Sequence, residues 1–287
     1  MPAKTGAQLL KNTKPKRNYG RNMTQAVGIS VLLSSFVMIA IYSHPVIFLI
    51  FSIVLVCMAL WEFKYALLKG GYEINLPPLI ISAIGILYAS FSIGETFMEL
   101  FYLLSVIAIF FYSALGDNPH SRLPTISASI FALTYIPFCA SFLILILLQP
   151  DGSSRLLLAI LMPIANDIGG FFAGHRFGKH KFSKISPNKT IEGFVGSVLS
   201  CMVVSNVFFF IAFRYIYYTD YFWVPTFFGF IAAFTSTFGD LLESVIKRDL
   251  GLKDMGKMLK AHGGLLDRFD SILISAPFSY IILLCFV

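Results

Sequence analysis

Charge is scarce in this chain. Of its 287 residues, 13% are Asp, Glu, Lys or Arg, where a soluble domain carries about 25%. Together with 57% hydrophobic residues and a mean hydropathy of +0.78, that scarcity excludes a soluble enzyme, a disordered segment and a coiled coil. Cysteine is scarce too. Cys57, Cys139, Cys201 and Cys285 all lie in apolar runs and form no C-x-x-C pair, which excludes a disulfide scaffold and argues against thiolate metal or redox motifs. No fixed-period repeat or low-complexity tract occurs, and the alternating pattern of membrane-barrel strands is missing. A G-x-x-x-x-G-K-[ST] phosphate loop is also absent.

Long apolar runs are what the chain has in abundance. A helical span takes about 20 apolar residues. Nine segments qualify, near 24–41, 45–61, 77–93, 99–115, 123–148, 155–174, 193–213, 222–239 and 271–287. The expected fold is therefore an all-α polytopic integral membrane protein of about nine transmembrane helices. The first run is expected to be a retained span, because no small-residue cleavage site follows it convincingly. Pro137 is expected to kink the fifth span. Three regions follow: a basic tail at 1–22, helices one to five at 23–150, and a C-terminal region at 151–287 with polar loops at 174–192 and 239–271.

The net charge of +7 admits two explanations, a nucleic-acid partner or membrane topology. Topology fits better, and no nucleic acid is expected. With the N-terminus in the cytoplasm, 20 of the 22 Lys and Arg residues fall in cytoplasmic segments. Only Arg155 and Arg214 fall outside, so a nine-span chain with an external C-terminus obeys the positive-inside rule.

Candidate chemistry concentrates in three places. Asp167 lies inside the sixth apolar run, where a carboxylate is costly and is a functional candidate by default. The competing explanation is a helix that stops at Gly169-Gly170 and leaves Asp167 at the interface. Gly170 and Gly174 have the small-xxx-small spacing of close helix packing. In Ser186-Pro187-Asn188-Lys189-Thr190, Ser-Pro starts a turn and Thr190 can cap the seventh helix. Lys189 then stands at a helix N-terminus that also favours anions. The other loop lysines, Lys181 and Lys184, read as solvated topology charges. The stretch 239–271 is the richest. Asp267 and Asp270, three residues apart, share a helix face, and Asp240 ends the preceding span at the same membrane face. Converging carboxylates with few thiol or imidazole donors suit a hard cation such as Mg²⁺. Lys247 and Arg248 supply cations for phosphate oxygens. The alternative is a salt-bridged interfacial helix, and His262-Gly263-Gly264 breaks the pattern such a helix needs.

The run Ser244-x-x-Lys247-Arg248-x4-Lys253-Asp254-x-Gly256, followed by His262-Gly263-Gly264-x-x-Asp267-Arg268-x-Asp270, resembles the signature of the phosphatidate cytidylyltransferase (CDP-diacylglycerol synthase) family. Phe177-Gly178-Lys179-His180-Lys181, Ser186-Pro187-x-Lys189-Thr190-x-Glu192-Gly193 and Gly239-Asp240 extend the resemblance over about 165–271. It implies transfer of a cytidylyl group from CTP to phosphatidate at a cytoplasmic-face site of the cell (inner) membrane. It implies Mg²⁺ at Asp240, Asp267 and Asp270, with room for a second cation or the nucleotide at Asp167. Lys189, Lys247 and Arg248 would hold phosphate oxygens, helped by Arg268. His262 would orient a carboxylate or phosphate. Ser186, Asn188, Thr190 and Glu192 complete the substrate-binding motif. CTP, phosphatidate and membrane lipid are the expected partners, with a homodimer left open. Lys260 and Ala261 stand where the family has Pro or Gly and then Gly, so the turn into the His-Gly-Gly loop is expected to differ. Asn188 replaces a lysine. Two other classes remain as alternatives: a CTP-dependent polyprenol or lipid-alcohol kinase, and a transporter.

Overall fold

The computed structural model describes residues 32, 34–115, 122–183, 186, 189–214, 221–256 and 263–287. Among them the regular elements are helices, and β geometry is confined to one antiparallel bridge between Lys181 and Thr190. In chain order these are α1 at 34–42, α2 Pro45–Lys69, α3 Leu76–Ser92, α4 Glu95–Leu115 and α5 Arg122–Leu133. A π-helical turn, Thr134–Phe138, leads into α6 Cys139–Leu147. Then come α7 Gly152–Phe177, α8 Ile191–Ala212, α9 Val224–Asp249 and α10 Leu266–Phe286.

Seven of these helices, with Arg122–Leu147 taken as one, are long and apolar enough to cross a membrane. The seventeen-residue α3 is apolar but shorter. In hydrocarbon the backbone must satisfy itself, which is why such sequences fold as helices. Local signals set where they start. Pro45 begins α2, and the His44 ring accepts from the Val46 N–H at 3.3 Å. Thr190 caps α8, its hydroxyl accepting from the Gly193 N–H at 3.0 Å. The break expected at Pro137 takes the form of the π turn: proline has no N–H to give, and the helix widens past it.

One buried apolar core holds the bundle. Part of it joins α2, α3 and the α5–α6 segment through Leu60, Phe63, Leu79, Ile86 and Leu133. Its part between α8 and α9 is aromatic: the rings of Phe209 and Phe228 meet tilted at 6.1 Å, and Phe213 lies 5.3 Å from Phe209. Exposed Phe110, Phe111, Phe171, Phe172 and Ile211 form outward faces suited to lipid.

Helices α7 and α8 meet through small residues. A Cβ on Gly169 would come within 2.6 Å of the Gly196 carbonyl, and one on Gly193 within 3.0 Å of the Gly170 carbonyl. The expected small-residue packing is thus real and brings the two backbones together. It also decides the question about Asp167. The helix does not stop at Gly169-Gly170; it runs on to Phe177, so Asp167 is an interior helical residue.

Candidate active site

A cavity of about 780 Å³ opens between α7, α8, α9 and α10. Asp167 and Asn166 line it from α7, Lys189 and Thr190 from the start of α8, Asp240 and Thr237 from α9, and Asp267 and Asp270 from α10. Five of the expected site residues therefore share one wall system with Thr190. Close approach makes this possible. A Cβ on Gly239 would lie 2.9 Å from the Ser271 Cα and 3.0 Å from the Asp270 carbonyl, so only glycine lets α9 and α10 bring Asp240 beside Asp270.

Carboxylate oxygens of Asp240, Glu243 and Asp270 all lie within 4.8 Å of one another. Glu243 and Asp270 are buried, while Asp240 is half-buried at the cavity wall. One oxygen of Glu243 is buried without a hydrogen-bond partner among the described residues. Like charges this close repel unless a cation or protons intervene. The three carboxylates, with no thiol or imidazole in the group, form a donor set that fits a hard divalent ion.

The grouping departs from the expected Asp240, Asp267 and Asp270. Glu243, not singled out by sequence, is the third carboxylate, one helical turn beyond Asp240. Asp267 faces the same cavity, but its carboxylate is engaged locally. It accepts from Gly264 N–H at 2.7 Å and Met255 N–H at 3.2 Å, and it pairs with the Lys247 ammonium at 3.1 Å. Lys247 also pairs with Glu243 at 3.1 Å. Lys247 thus bridges α9 to the start of α10. Lys189 forms an ion pair with Asp240, tying the α7–α8 connection to α9.

That connection is itself fixed. Phe182 N–H donates to the Lys189 carbonyl at 2.8 Å, and Ile191 N–H to the His180 carbonyl at 2.9 Å. The Glu192 carboxylate accepts from Lys179 N–H at 3.1 Å and contacts His180 Nδ1 at 2.7 Å. Glu192 therefore shapes the turn and does not line the cavity. Ser186 accepts at its carbonyl from Lys189 N–H at 3.1 Å.

Two expected residues stand elsewhere. Arg248 is exposed and outside the cavity lining. Arg268 is exposed on the other side of α10, where with Phe269 and Ile272 it borders an apolar groove between α2, α6, α7 and α10. Helix geometry explains both: Arg268 is one residue along from the cavity-lining Asp267 and Arg248 one along from Lys247, which pairs with Glu243 and Asp267, each step being about 100° around the axis. Asn188 and His262, with Lys184, Lys260 and Ala261, lie outside the described residues.

Sequence reading also passed over Asn166, Ser197 and Thr237. The Asn166 side-chain oxygen accepts from the Thr237 hydroxyl at 3.1 Å, and the Ser197 hydroxyl donates to the Asn166 carbonyl at 2.7 Å. This buried network locks α7, α8 and α9 under the cavity floor. Asn166, next to Asp167 in the same apolar run, was a usable signal.

Converging carboxylates, two bridging lysines and a polar cavity, in a bundle of helices long and apolar enough to cross a membrane, are the features of a multi-pass membrane protein with a charged site. The sequence matches the model of the cytidylyltransferase family over residues 24–286, and the chain belongs to that family. It is 30% identical to a phosphatidate cytidylyltransferase of Mycobacterium leprae, over 95% of this chain and 91% of that protein. It is 31% identical to one of Staphylococcus saprophyticus, over 92% of this chain and 98% of that protein. A Bacillus subtilis phosphatidate cytidylyltransferase is 35% identical, over 64% of this chain and 67% of that protein.

Proposed function

We infer that the protein transfers the cytidylyl group of CTP to phosphatidate, releasing pyrophosphate and forming CDP-diacylglycerol. The observation that carries this reading is one cavity lined by Lys189, Asp240, Asp267 and Asp270, with Glu243 and Lys247 joined to those carboxylates behind its wall, in a chain of the cytidylyltransferase family. A phosphate oxygen of the lipid attacks the α-phosphorus of CTP, the bond to the β-phosphate oxygen breaks, and pyrophosphate leaves. The lipid phosphate is the nucleophile, so no side chain has to be one. The residues' work is electrostatic: two polyanions must be held together, and pre-placed opposite charges offset their repulsion.

Asp240, Glu243 and Asp270 are the residues that would hold Mg²⁺, which when bound neutralises phosphate charge. Lys189 stands against Asp240, where its ammonium would meet phosphate oxygens brought to that wall by a bound cation. Lys247 is oriented between Glu243 and Asp267 for the same task. Asp267 holds Lys247 and the turn before α10, and borders the Mg²⁺ site from that side. Asp167, on the opposite wall, takes a second cation or the nucleotide.

The topology we propose has nine spans, with the N-terminus and the cavity mouth on the cytoplasmic side of the cell membrane. Charge asymmetry supports it: 20 of 22 cations then lie on one side. The contacts of Lys189 with Asp240 and of Glu62 with Leu266 support it as well, since they join the segments 62–76, 175–192 and 240–270 at one end of the bundle. CTP then enters from water and phosphatidate from the leaflet.

The test is product identification. Purified protein is given phosphatidate, CTP labelled at the α-phosphorus, and Mg²⁺. Label should move into lipid, with one pyrophosphate released per label transferred. Free labelled CDP with an unlabelled phosphorylated lipid would replace this reading with a kinase.

A further inference from the structure

Glu62 lies on α2, in the half of the chain that carries none of the signature, yet its carboxylate meets the signature loop. The side chain is 4% exposed. One oxygen accepts from the Leu266 N–H at 3.0 Å, across 204 residues of sequence. Leu266 is the first residue of α10, and the residue before it, Leu265, offers no side-chain cap. The first free amide of a helix needs an acceptor, and a negative charge there also complements the helix dipole. Glu62 supplies both from another helix.

Two glycines of the loop press on the same carboxylate. A Cβ on Gly264 would lie 2.8 Å from each carboxylate oxygen, and one on Gly256 would overlap the carboxylate. Gly256 and Gly264 thus flank the α9–α10 connection at the places where it touches Glu62. On its far side the connection is held by Asp267, through Gly264 N–H and Met255 N–H. The connection is gripped between a carboxylate from the N-terminal helices and one from the site itself.

We propose that Glu62 is a positioning residue: by capping α10 in trans and seating Gly256 and Gly264, it sets where Asp267 and Asp270 stand relative to Asp240 and Lys247. It lies outside the lining of the cavity that holds Asp240, Asp267 and Asp270. The kinetic part of its test rests on the cytidylyl-transfer reading; the exchange part does not.

The experiment compares wild type, Glu62→Gln, Glu62→Ala and Gly264→Ala, purified in detergent. Hydrogen exchange is followed by mass spectrometry in peptides covering 263–270, with no substrate present. In parallel, kcat and KM for CTP are measured in mixed micelles. For Glu62→Ala we expect exchange in 263–270 to accelerate about 10-fold or more. We expect kcat to fall by a similar factor, with KM for CTP within about threefold of wild type. That factor is about 1.4 kcal/mol, the size of one lost hydrogen bond. Glu62→Gln keeps an acceptor oxygen at the same reach and should recover most of both. Gly264→Ala should slow turnover in the wild-type background and cost much less on top of Glu62→Ala, because the atom it collides with is gone. If Glu62→Ala does not fold, Glu62→Gln and Gly264→Ala still decide. Unchanged exchange in 263–270 for Gly264→Ala would overturn the proposal, as would Glu62→Gln behaving no better than Glu62→Ala, or an additive double variant. Altered exchange in a protein that makes no CDP-diacylglycerol would leave Glu62 in place and sink the functional reading instead.

Discussion

The bundle buries charge at both of its ends, and it does so in opposite ways. At one end Arg155, 5% exposed near the start of α7, donates to the Gln149 side chain at 2.9 Å and to the Leu283 carbonyl at 2.8 Å. It is a single cation met by neutral acceptors, and it ties the α6–α7 turn to the last turn of α10. At the other end, about 18 Å further along α7 at a rise of 1.5 Å per residue, Asp167 opens on a cavity that Asp240 and Asp270 also line, and Glu243 crowds against those two. The first arrangement satisfies its charge with neutral protein acceptors, although the Gln149 Nε2 stays buried without a hydrogen-bond partner among the described residues. The second gathers like charges beyond what Lys189 and Lys247 offset, and it leaves a buried Glu243 oxygen without a described partner. Buried charge that is already satisfied is structural; buried charge that is crowded asks for a ligand.

The largest expected effect removes one member of the crowded group. Asp270→Asn keeps shape and burial and deletes a charge. Turnover should fall by about 10²-fold or more, as for loss of a key electrostatic group, while the protein still purifies as a folded species. The same variant should lose the calorimetric signature of Mg²⁺ binding. Near-normal turnover at saturating Mg²⁺ would mean that the crowding at this end is only structural.

These features differ in how far the sequence revealed them, and the reason is physical. Apolar runs located every described helix, because lipid-facing side chains are what a hydropathy window detects. The same window misplaced the ends. The run expected at 222–239 continues as α9 to Asp249, through Asp240, Glu243 and Lys247. The run expected at 271–287 begins as α10 at Leu266, ahead of Asp267 and Asp270. The run at 45–61 continues as α2 to Lys69, past Glu62. A helix is held by its own backbone bonds and does not stop where polarity rises; it stops where caps and turns end it. The site occupies those polar extensions. Asp240, Asp267, Asp270 and Lys189 were legible from residue type and spacing. Glu62 was not, since nothing local marks a glutamate whose partner lies on another helix; Glu243, three residues after Asp240 and four before Lys247, carried a helical spacing that was passed over. Arg248 and Arg268, expected at phosphate oxygens, are exposed and stand outside the cavity lining.

A middle-sized effect separates specific from diffuse positive charge. Lys189 is held against Asp240, whereas Lys181 is exposed on the same connection. A charge-assisted contact to phosphate is worth about 1.5–3 kcal/mol, so Lys189→Gln should lower kcat/KM for CTP or phosphatidate by roughly 10- to 100-fold. The defect should persist at high salt. Lys181→Gln should stay close to wild type at physiological ionic strength, where exposed charges are screened beyond about 8 Å. Equal defects that salt reduces in parallel would make both lysines part of a general attraction for anionic lipid.

The smallest effect on catalysis should come from the satisfied end, and it is the sharpest check on the contrast. Arg155→Met retains length and apolar stem but removes the donors to Gln149 and Leu283. The Leu283 carbonyl belongs to the last turn of α10 and also accepts from the Val287 N–H at 3.3 Å. Losing the guanidinium removes two further hydrogen bonds, to Gln149 and Leu283, and costs about 1–3 kcal/mol. The apparent melting temperature in detergent should therefore drop by about 2 °C or more. Turnover per folded molecule should stay within about twofold of wild type, because α10 is held at its other end by Glu62 and Asp267. A variant that melts normally but turns over tenfold more slowly would show that strain at the satisfied end reaches the carboxylates through α7 or α10. The two ends would then be one coupled device, and the separation between structural and functional buried charge drawn from this molecule would fail.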